Sequence, residues 1–137
     1  MRADELMLGD WVNFFSKYTG KGIGIIGGIE PREGSVEPST FSVFKYVQNK
    51  GEIETHAFFG VSRHSIKGVP LTEEILMKNF PTPETISWFP LDTKPGYFNV
   101  YWYGDAGEGG EIHLNIQYVH ELQHILKLCN INKEIEL

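Results

Sequence analysis

Two histidines one helical turn apart, His120 and His124, flank a glutamate in the string His120-Glu121-Leu122-Gln123-His124. This string matches the H-E-x-x-H pattern, in which two imidazoles bind zinc and the glutamate activates a water molecule. A hydrolase of this kind also needs a third protein ligand and a cavity that excludes bulk water. Whether the two imidazoles could meet a third ligand in such a cavity depends on the face of the helix that they occupy.

That helix is predicted over residues 116–129, because apolar side chains recur there with the 3.6-residue period. At about 100° per residue, the side chains predicted to face the core are Tyr118, Val119, Leu122, Ile125, Leu126 and Cys129. His120 and His124 project from the opposite side, so we expect both imidazoles to face solvent. No histidine follows His124. We therefore expect no metal and no other cofactor, and a zinc hydrolase with Glu121 as its base is the alternative.

A second string, Gly22-Ile23-Gly24-Ile25-Ile26-Gly27, fits the glycine pattern of dinucleotide-binding folds. That function requires a helix that begins inside the motif. The chain continues instead into Gly28 and then Pro31, and both residue types disfavour a helix. The pattern is typical of a glycine-rich strand that bends sharply or lets another backbone approach closely.

Three tyrosines form the third candidate site. Tyr97, Tyr101 and Tyr103 occupy alternate positions of one predicted strand, so they share a face. A tyrosine row could stack bases or anchor a protein partner, and cross-strand aromatic pairing within the sheet is the alternative interpretation. We take the three tyrosines as candidate binding residues. The helix face with Leu128 and the two histidines is a second candidate surface.

The elements that position these residues follow from the remaining pattern. Alternating aromatic and β-branched residues predict four strands in the first half: 11–15, 22–29, 40–47 and 53–61. Short strands with tight connections are typical of a small barrel. In the second half, we predict a short helix over 73–79 with Thr72 as its N-cap, and then three strands: 84–89, 96–103 and 111–114.

The predicted fold class is α+β. An N-terminal SH3-like small β-barrel portion is followed by a short helix, three antiparallel strands and the C-terminal amphipathic helix. We expect a single domain over residues 1–137, with the β portion in 1–68 and the α+β portion in 69–137.

Composition narrows the classes of function. The chain of 137 residues has a formal net charge of -6, which disfavours nucleic-acid binding driven by bulk charge. Arg63, His64 and Lys67 form only a minor basic spot. No stretch approaches the roughly 20 apolar residues that span a bilayer, and no signal-peptide pattern opens the chain. We expect a cytoplasmic protein that does not enter the membrane. Cys129 is the only cysteine, so an internal disulfide is excluded.

Three stretches carry a resemblance. They are Ala3-Asp4-Glu5-Leu6 with Leu8-Gly9-Asp10-Trp11-Val12, Val69-Pro70-Leu71-Thr72-Glu73-Glu74-Ile75-Leu76, and Ile116-Gln117-Tyr118-Val119-His120-Glu121-Leu122-Gln123. Together they resemble a family of small uncharacterised proteins from Bacteroidales genomes and their phages or mobile elements. The resemblance implies no activity, and Glu121 and His124 depart from the family pattern, which more often reads His-Gln-Leu-Gln-Asn. The first stretch is also similar to the opening strand of SH3-like barrels.

The predicted function is a non-catalytic interaction module of a phage or mobile element, with a protein partner. Two alternatives remain open. One is the zinc-dependent hydrolase that uses His120 and His124. The other is a nucleic-acid-associated SH3-like protein, which the acidic net charge disfavours and which predicts an affinity that falls steeply with salt.

Overall fold

The computed structural model describes residues 6–16, 20–31, 38–47, 51–82, 86–102 and 112–137. The chain separates into two compact units, Met1–Val69 and Pro70–Leu137. The described strands form two antiparallel sheets, and two helices accompany the second sheet, which agrees with an α+β class. The prediction of a single domain stays a prediction. In the part of the chain that the structure describes, no helix has the length and apolar character to cross a bilayer.

The first unit contains a five-stranded sheet in the order β4-β3-β2-β1-β5. Its strands are β1 (Trp11–Ser16), β2 (Gly20–Pro31), β3 (Pro38–Val47), β4 (Glu52–Ser62) and β5 (Ile66–Gly68), with a 3-10 turn, Arg63–Ser65, before β5. β4 and β5 form the two edges of the described sheet and do not pair with each other. The sheet is therefore open, and the predicted SH3-like barrel is not confirmed.

Glycines allow β2 and β3 to approach closely. A Cβ atom at Gly24 would lie 2.5 Å from the carbonyl oxygen of Phe44, and one at Gly27 would overlap the Phe44 ring. The pairing of β2 with β3 also shifts register between Ile26 and Gly28. The G-x-G-x-x-G string thus lies within an irregular strand, as predicted, and no helix begins inside it.

A buried carboxylate closes the turn that leads into β1. Asp10 is fully buried, and its Oδ2 atom accepts a hydrogen bond of 2.8 Å from the backbone N–H of Met7. The backbone N–H of Ile26 donates to the Asp10 carbonyl at 3.0 Å. The first bond closes the turn before β1, and the second joins the start of β1 to β2. The hydrophobic core of the unit consists of Leu6, Val12, Phe14, Ile26, Phe41, Val43, Val61 and Ile66.

The second unit begins with α1 (Glu73–Asn79), followed by the sheet β6-β7-β8 and by α2. Its strands are β6 (Ser87–Pro90), β7 (Phe98–Trp102) and β8 (Ile112–Ile116), and α2 is Val119–Leu128. The hydroxyl of Thr72 accepts a hydrogen bond of 3.2 Å from Ile75 N–H, so the predicted N-cap is confirmed.

The second helix begins three residues later than the predicted residue 116. Ile116 still belongs to β8, and Tyr118 is extended and forms an isolated bridge with Pro70. Sheet pairing therefore overrides the apolar periodicity at this end. At the other end, Asn130 takes the left-handed conformation, with φ of 57°. The N–H of Ile131 donates a hydrogen bond of 2.8 Å to the carbonyl of Leu126. This is the predicted helix cap.

A buried amide holds the C-terminal segment of the unit against α1. Asn79 is buried, and its Nδ2 atom donates to the carbonyls of Ile75 (2.8 Å) and Glu136 (2.7 Å). Its Oδ1 atom accepts from the N–H of Glu136 at 2.8 Å. One side chain thus satisfies both backbone groups of a residue far away in sequence.

Candidate functional site

The two histidines of the H-E-x-x-H string lie side by side at the start of α2. Their ring centroids are 5.7 Å apart, with ring planes at 69°. His120 is only 2% exposed and stacks on Tyr118, with centroids 5.6 Å apart and ring planes at 14°. The prediction that both imidazoles face solvent is therefore wrong for His120. Periodicity identifies the helix face that packs on one core, but it does not show what covers the opposite side.

Glu121 has a structural role at the helix start. Its Oε1 atom accepts hydrogen bonds from the backbone N–H groups of Gln117 (3.1 Å) and Tyr118 (3.0 Å). A carboxylate at this third helical position satisfies backbone donors that lack helical partners, and it is favoured by the positive end of the helix dipole. The glutamate that would act as a catalytic base is therefore engaged in capping α2.

A catalytic zinc needs three protein ligands and an open coordination position. Within the described ranges, no group of three or more His, Cys, Asp or Glu side chains is arranged to hold a metal ion. The side chains of His56 and His113 lie outside the part of the chain that the structure describes. The described residues thus bring two imidazoles together, and the zinc-hydrolase alternative stays a prediction.

Cys129 lies at the C-terminal end of the apolar face of α2. It is buried, as the helical projection predicts, and burial raises the pKa of its thiol above the ordinary value. A raised pKa disfavours the thiolate, which is the reactive form of cysteine. The side chain therefore serves as a small apolar group in the core.

The tyrosine site is described only in part, because Tyr103 lies outside the described residues. Tyr97 is half-buried, and the Nζ atom of Lys94 lies 5.3 Å from its ring centroid. Tyr101 is also half-buried, and its ring lies 6.1 Å from that of Phe89 on the neighbouring strand. Tyr101 thus takes part in the cross-strand aromatic pairing that was the alternative interpretation. A binding role for the three tyrosines stays a prediction.

A groove with positively charged side chains opens in the first unit. Its volume is about 810 Å³, and its lining includes Lys21, Lys45, Lys67 and His64. Among its described lining residues there is no Asp or Glu, although the chain as a whole has 18 acidic against 12 basic residues. The groove therefore concentrates positive charge on an acidic protein, and this favours an anionic ligand.

The strand register places two of the lysines on one face of the sheet. Lys67 on β5 is paired with Asn13 on β1, which is paired in turn with Ile23 on β2. Two residues further along β1, Phe15 is paired with Lys21. Paired residues lie on the same side of a sheet, and so do alternate residues of one strand. These five side chains therefore share one face.

Tyr46 belongs to the same face. Lys45 is paired with Gly24 on β2, so the residues next to them, Tyr46 and Ile23, lie together on the other side. We call the six residues the lysine–aromatic face: Asn13, Phe15, Lys21, Ile23, Tyr46 and Lys67. All six line the groove. The face thus presents two lysines and two aromatic rings from four strands.

The third lysine reaches the groove from the opposite side of the sheet. A Cβ atom at Gly22 would lie 3.2 Å from the Phe14 ring and 3.7 Å from Cε of Lys45. The glycine therefore leaves room for the aliphatic part of Lys45 beside the ring, and Lys45 also lines the groove. Both faces of the sheet contribute to the lining.

Sequence reasoning found only part of this groove. The sequence indicates only a minor basic spot of Arg63, His64 and Lys67, whereas Lys21 and Lys45 lie in different strands and belong to no motif. Only the register of β1, β2, β3 and β5 brings them together. No family model, curated protein or solved structure matches the chain. The function is therefore inferred from the geometry and charge of the groove.

Proposed function

We propose that this chain is a binding module that holds an anionic macromolecule in the groove of its first unit. The observation that carries the proposal is the groove lining, in which three lysines and a histidine occur without a described carboxylate. Lysine ammonium groups attract anionic ligands, and a concave surface strengthens the field at its base. The H-E-x-x-H string in α2 contributes nothing to this binding, because Glu121 is engaged in capping the helix.

We further propose that the first sheet is an SH3-like module. Five antiparallel strands in the order β4-β3-β2-β1-β5, with a 3-10 turn before β5, support this assignment. Such a sheet presents side chains from several strands on one surface, and the lysine–aromatic face is a surface of this kind.

Charge reversal in the groove tests the proposal. The variant combines Lys21→Glu, Lys45→Glu and Lys67→Glu, and binding of fluorescent oligothymidylate and polyglutamate is measured by anisotropy at low salt. We expect at least one of these polyanions to bind the unmodified protein and its affinity to fall more than tenfold in the variant.

A second variant with the same change in net charge is the control. It combines Lys94→Glu, Lys127→Glu and Lys133→Glu, all at exposed positions of the second unit. We expect this variant to retain most of the affinity, and circular dichroism melting shows whether both variants fold. Equal loss in the two variants, or no binding of either polyanion, would contradict the proposal.

A further inference from the structure

We infer that the groove binds single-stranded nucleic acid; this inference rests on the proposed function and names its ligand class. Phe15 is 52% exposed and lies directly across the strand pair from Lys21. Paired side chains of this kind have Cβ atoms about 5 Å apart. The exposed Phe15 ring and the Lys21 side chain therefore lie next to each other in one groove.

This pairing matches the chemistry of an unpaired nucleotide. Sites for single strands combine a positive groove, which follows the phosphates, with aromatic rings on which bases stack. Phe15 offers a ring for a base, and Lys21 and Lys67 lie on the same face to contact phosphates. The Tyr46 ring, held edge-on against Trp11 at a centroid distance of 5.3 Å, provides a second aromatic group.

An acidic peptide fits this lining less well. Carboxylates are bound best by the planar, bidentate guanidinium of arginine, whereas lysine acts as a point charge that suits phosphate oxygens. The basic side chains that line the groove in the described part of the chain are lysines and one histidine, and none is an arginine. An acidic side chain also has no ring that could stack on the exposed Phe15 ring. The lining thus favours phosphates joined to bases.

A duplex fits less well for a different reason. Its bases are stacked on one another, and proteins read them with a helix or a two-stranded ribbon in the major groove. Stacking on Phe15 requires a base that is already unpaired. Asn13, the only amide among the described lining residues, donates its Nδ2 hydrogen bond to the Gly68 carbonyl at 3.2 Å. We therefore expect little discrimination between base sequences.

The number of lysines sets the expected salt dependence. For single strands, the slope of log K against log salt is about -0.7 for each phosphate that is neutralised. Three lysines predict a slope of about -2 and a dissociation constant on the order of 10⁻⁴ to 10⁻⁶ M, the range of non-specific binding. Replacement of Lys67 by glutamine should make the slope shallower by about 0.7.

The experiment measures anisotropy with four labelled probes: ten-residue oligothymidylate, ten-residue oligouridylate, a ten-base-pair DNA duplex and decaglutamate. We expect one or both single strands to bind at least tenfold more tightly than the duplex and the peptide. Phe15→Ala should weaken single-strand binding about tenfold, and Phe15→Trp should retain it. Phe59→Ala is the matched control, because Phe59 is 76% exposed on β4 outside the groove lining, and it should leave affinity unchanged.

The outcomes separate this inference from the proposed function. Equal binding of decaglutamate and the single strands, with no effect of Phe15→Ala, would overturn the nucleic-acid inference and leave an anion-binding groove. Tighter binding of the duplex would also overturn it. If none of the four probes binds, the proposed function fails together with the inference.

Discussion

In the second unit, several polar side chains, including two of the H-E-x-x-H string, are engaged in contacts within the fold. Glu121 caps α2, His120 is buried against Tyr118, and Asn79 binds the backbone of Glu136. In the first unit, lysines that belong to no motif line an open groove. The difference shows that the tertiary position of a polar side chain, and not its motif, decides whether it is engaged within the fold or lines a groove.

The largest expected effect concerns the glycines of β2 that face β3. Gly24→Ala would place a Cβ atom 2.5 Å from the carbonyl oxygen of Phe44, so β2 and β3 would have to separate. We expect a loss of about 3 kcal/mol in the free energy of unfolding, measured by urea denaturation. Gly28→Ala is the control, because its new Cβ atom would meet only the Ser42 side chain at 3.2 Å, and it should cost less than about 1 kcal/mol. Equal effects would show that close backbone approach is not the reason for Gly24.

A smaller effect is expected in the second unit from Asn79→Ala. The substitution removes the two part-buried hydrogen bonds that join the Asn79 side chain to the N–H and carbonyl of Glu136, and each such bond contributes about 1 kcal/mol. We expect a loss of about 2 kcal/mol in chemical denaturation. Asn115→Ala removes one exposed hydrogen bond to Asn99 and should cost less than about 1 kcal/mol. If the two variants are equally stable, the hydrogen bonds between Asn79 in α1 and the backbone of Glu136 contribute little to the free energy of unfolding.

The smallest of the three effects concerns the motif glutamate. Glu121→Ala removes the acceptor for the N–H groups of Gln117 and Tyr118, and loss of such a helix cap costs about 1 kcal/mol. Thermal melting should show this decrease, whereas Glu134→Ala, at an exposed position, should change stability by less than about 0.5 kcal/mol. An unchanged melting temperature together with zinc-dependent hydrolysis that requires Glu121 would instead support the hydrolase alternative.

The sequence predicts correctly the features that depend on interactions between residues close together in the chain. The bounds of α1, its N-cap Thr72 and the left-handed Asn130 all agree with the structure, because each depends on neighbours within a few residues. β5 was missed, since a strand of three residues is too short to show alternation. The start of α2 was placed too early, because pairing in β8 and the bridge of Tyr118 with Pro70 depend on residues distant in sequence.

The sequence by itself determined the α+β class, most strands, both helices and the apolar side of α2, since periodicity and capping are local properties of the chain. Only the tertiary structure decided that His120 is buried, that Glu121 caps a helix and that Lys21, Lys45 and Lys67 meet in one groove. The physical reason is that strand register and burial depend on pairing between residues far apart along the chain, and one sequence without its fold does not specify which residues pair.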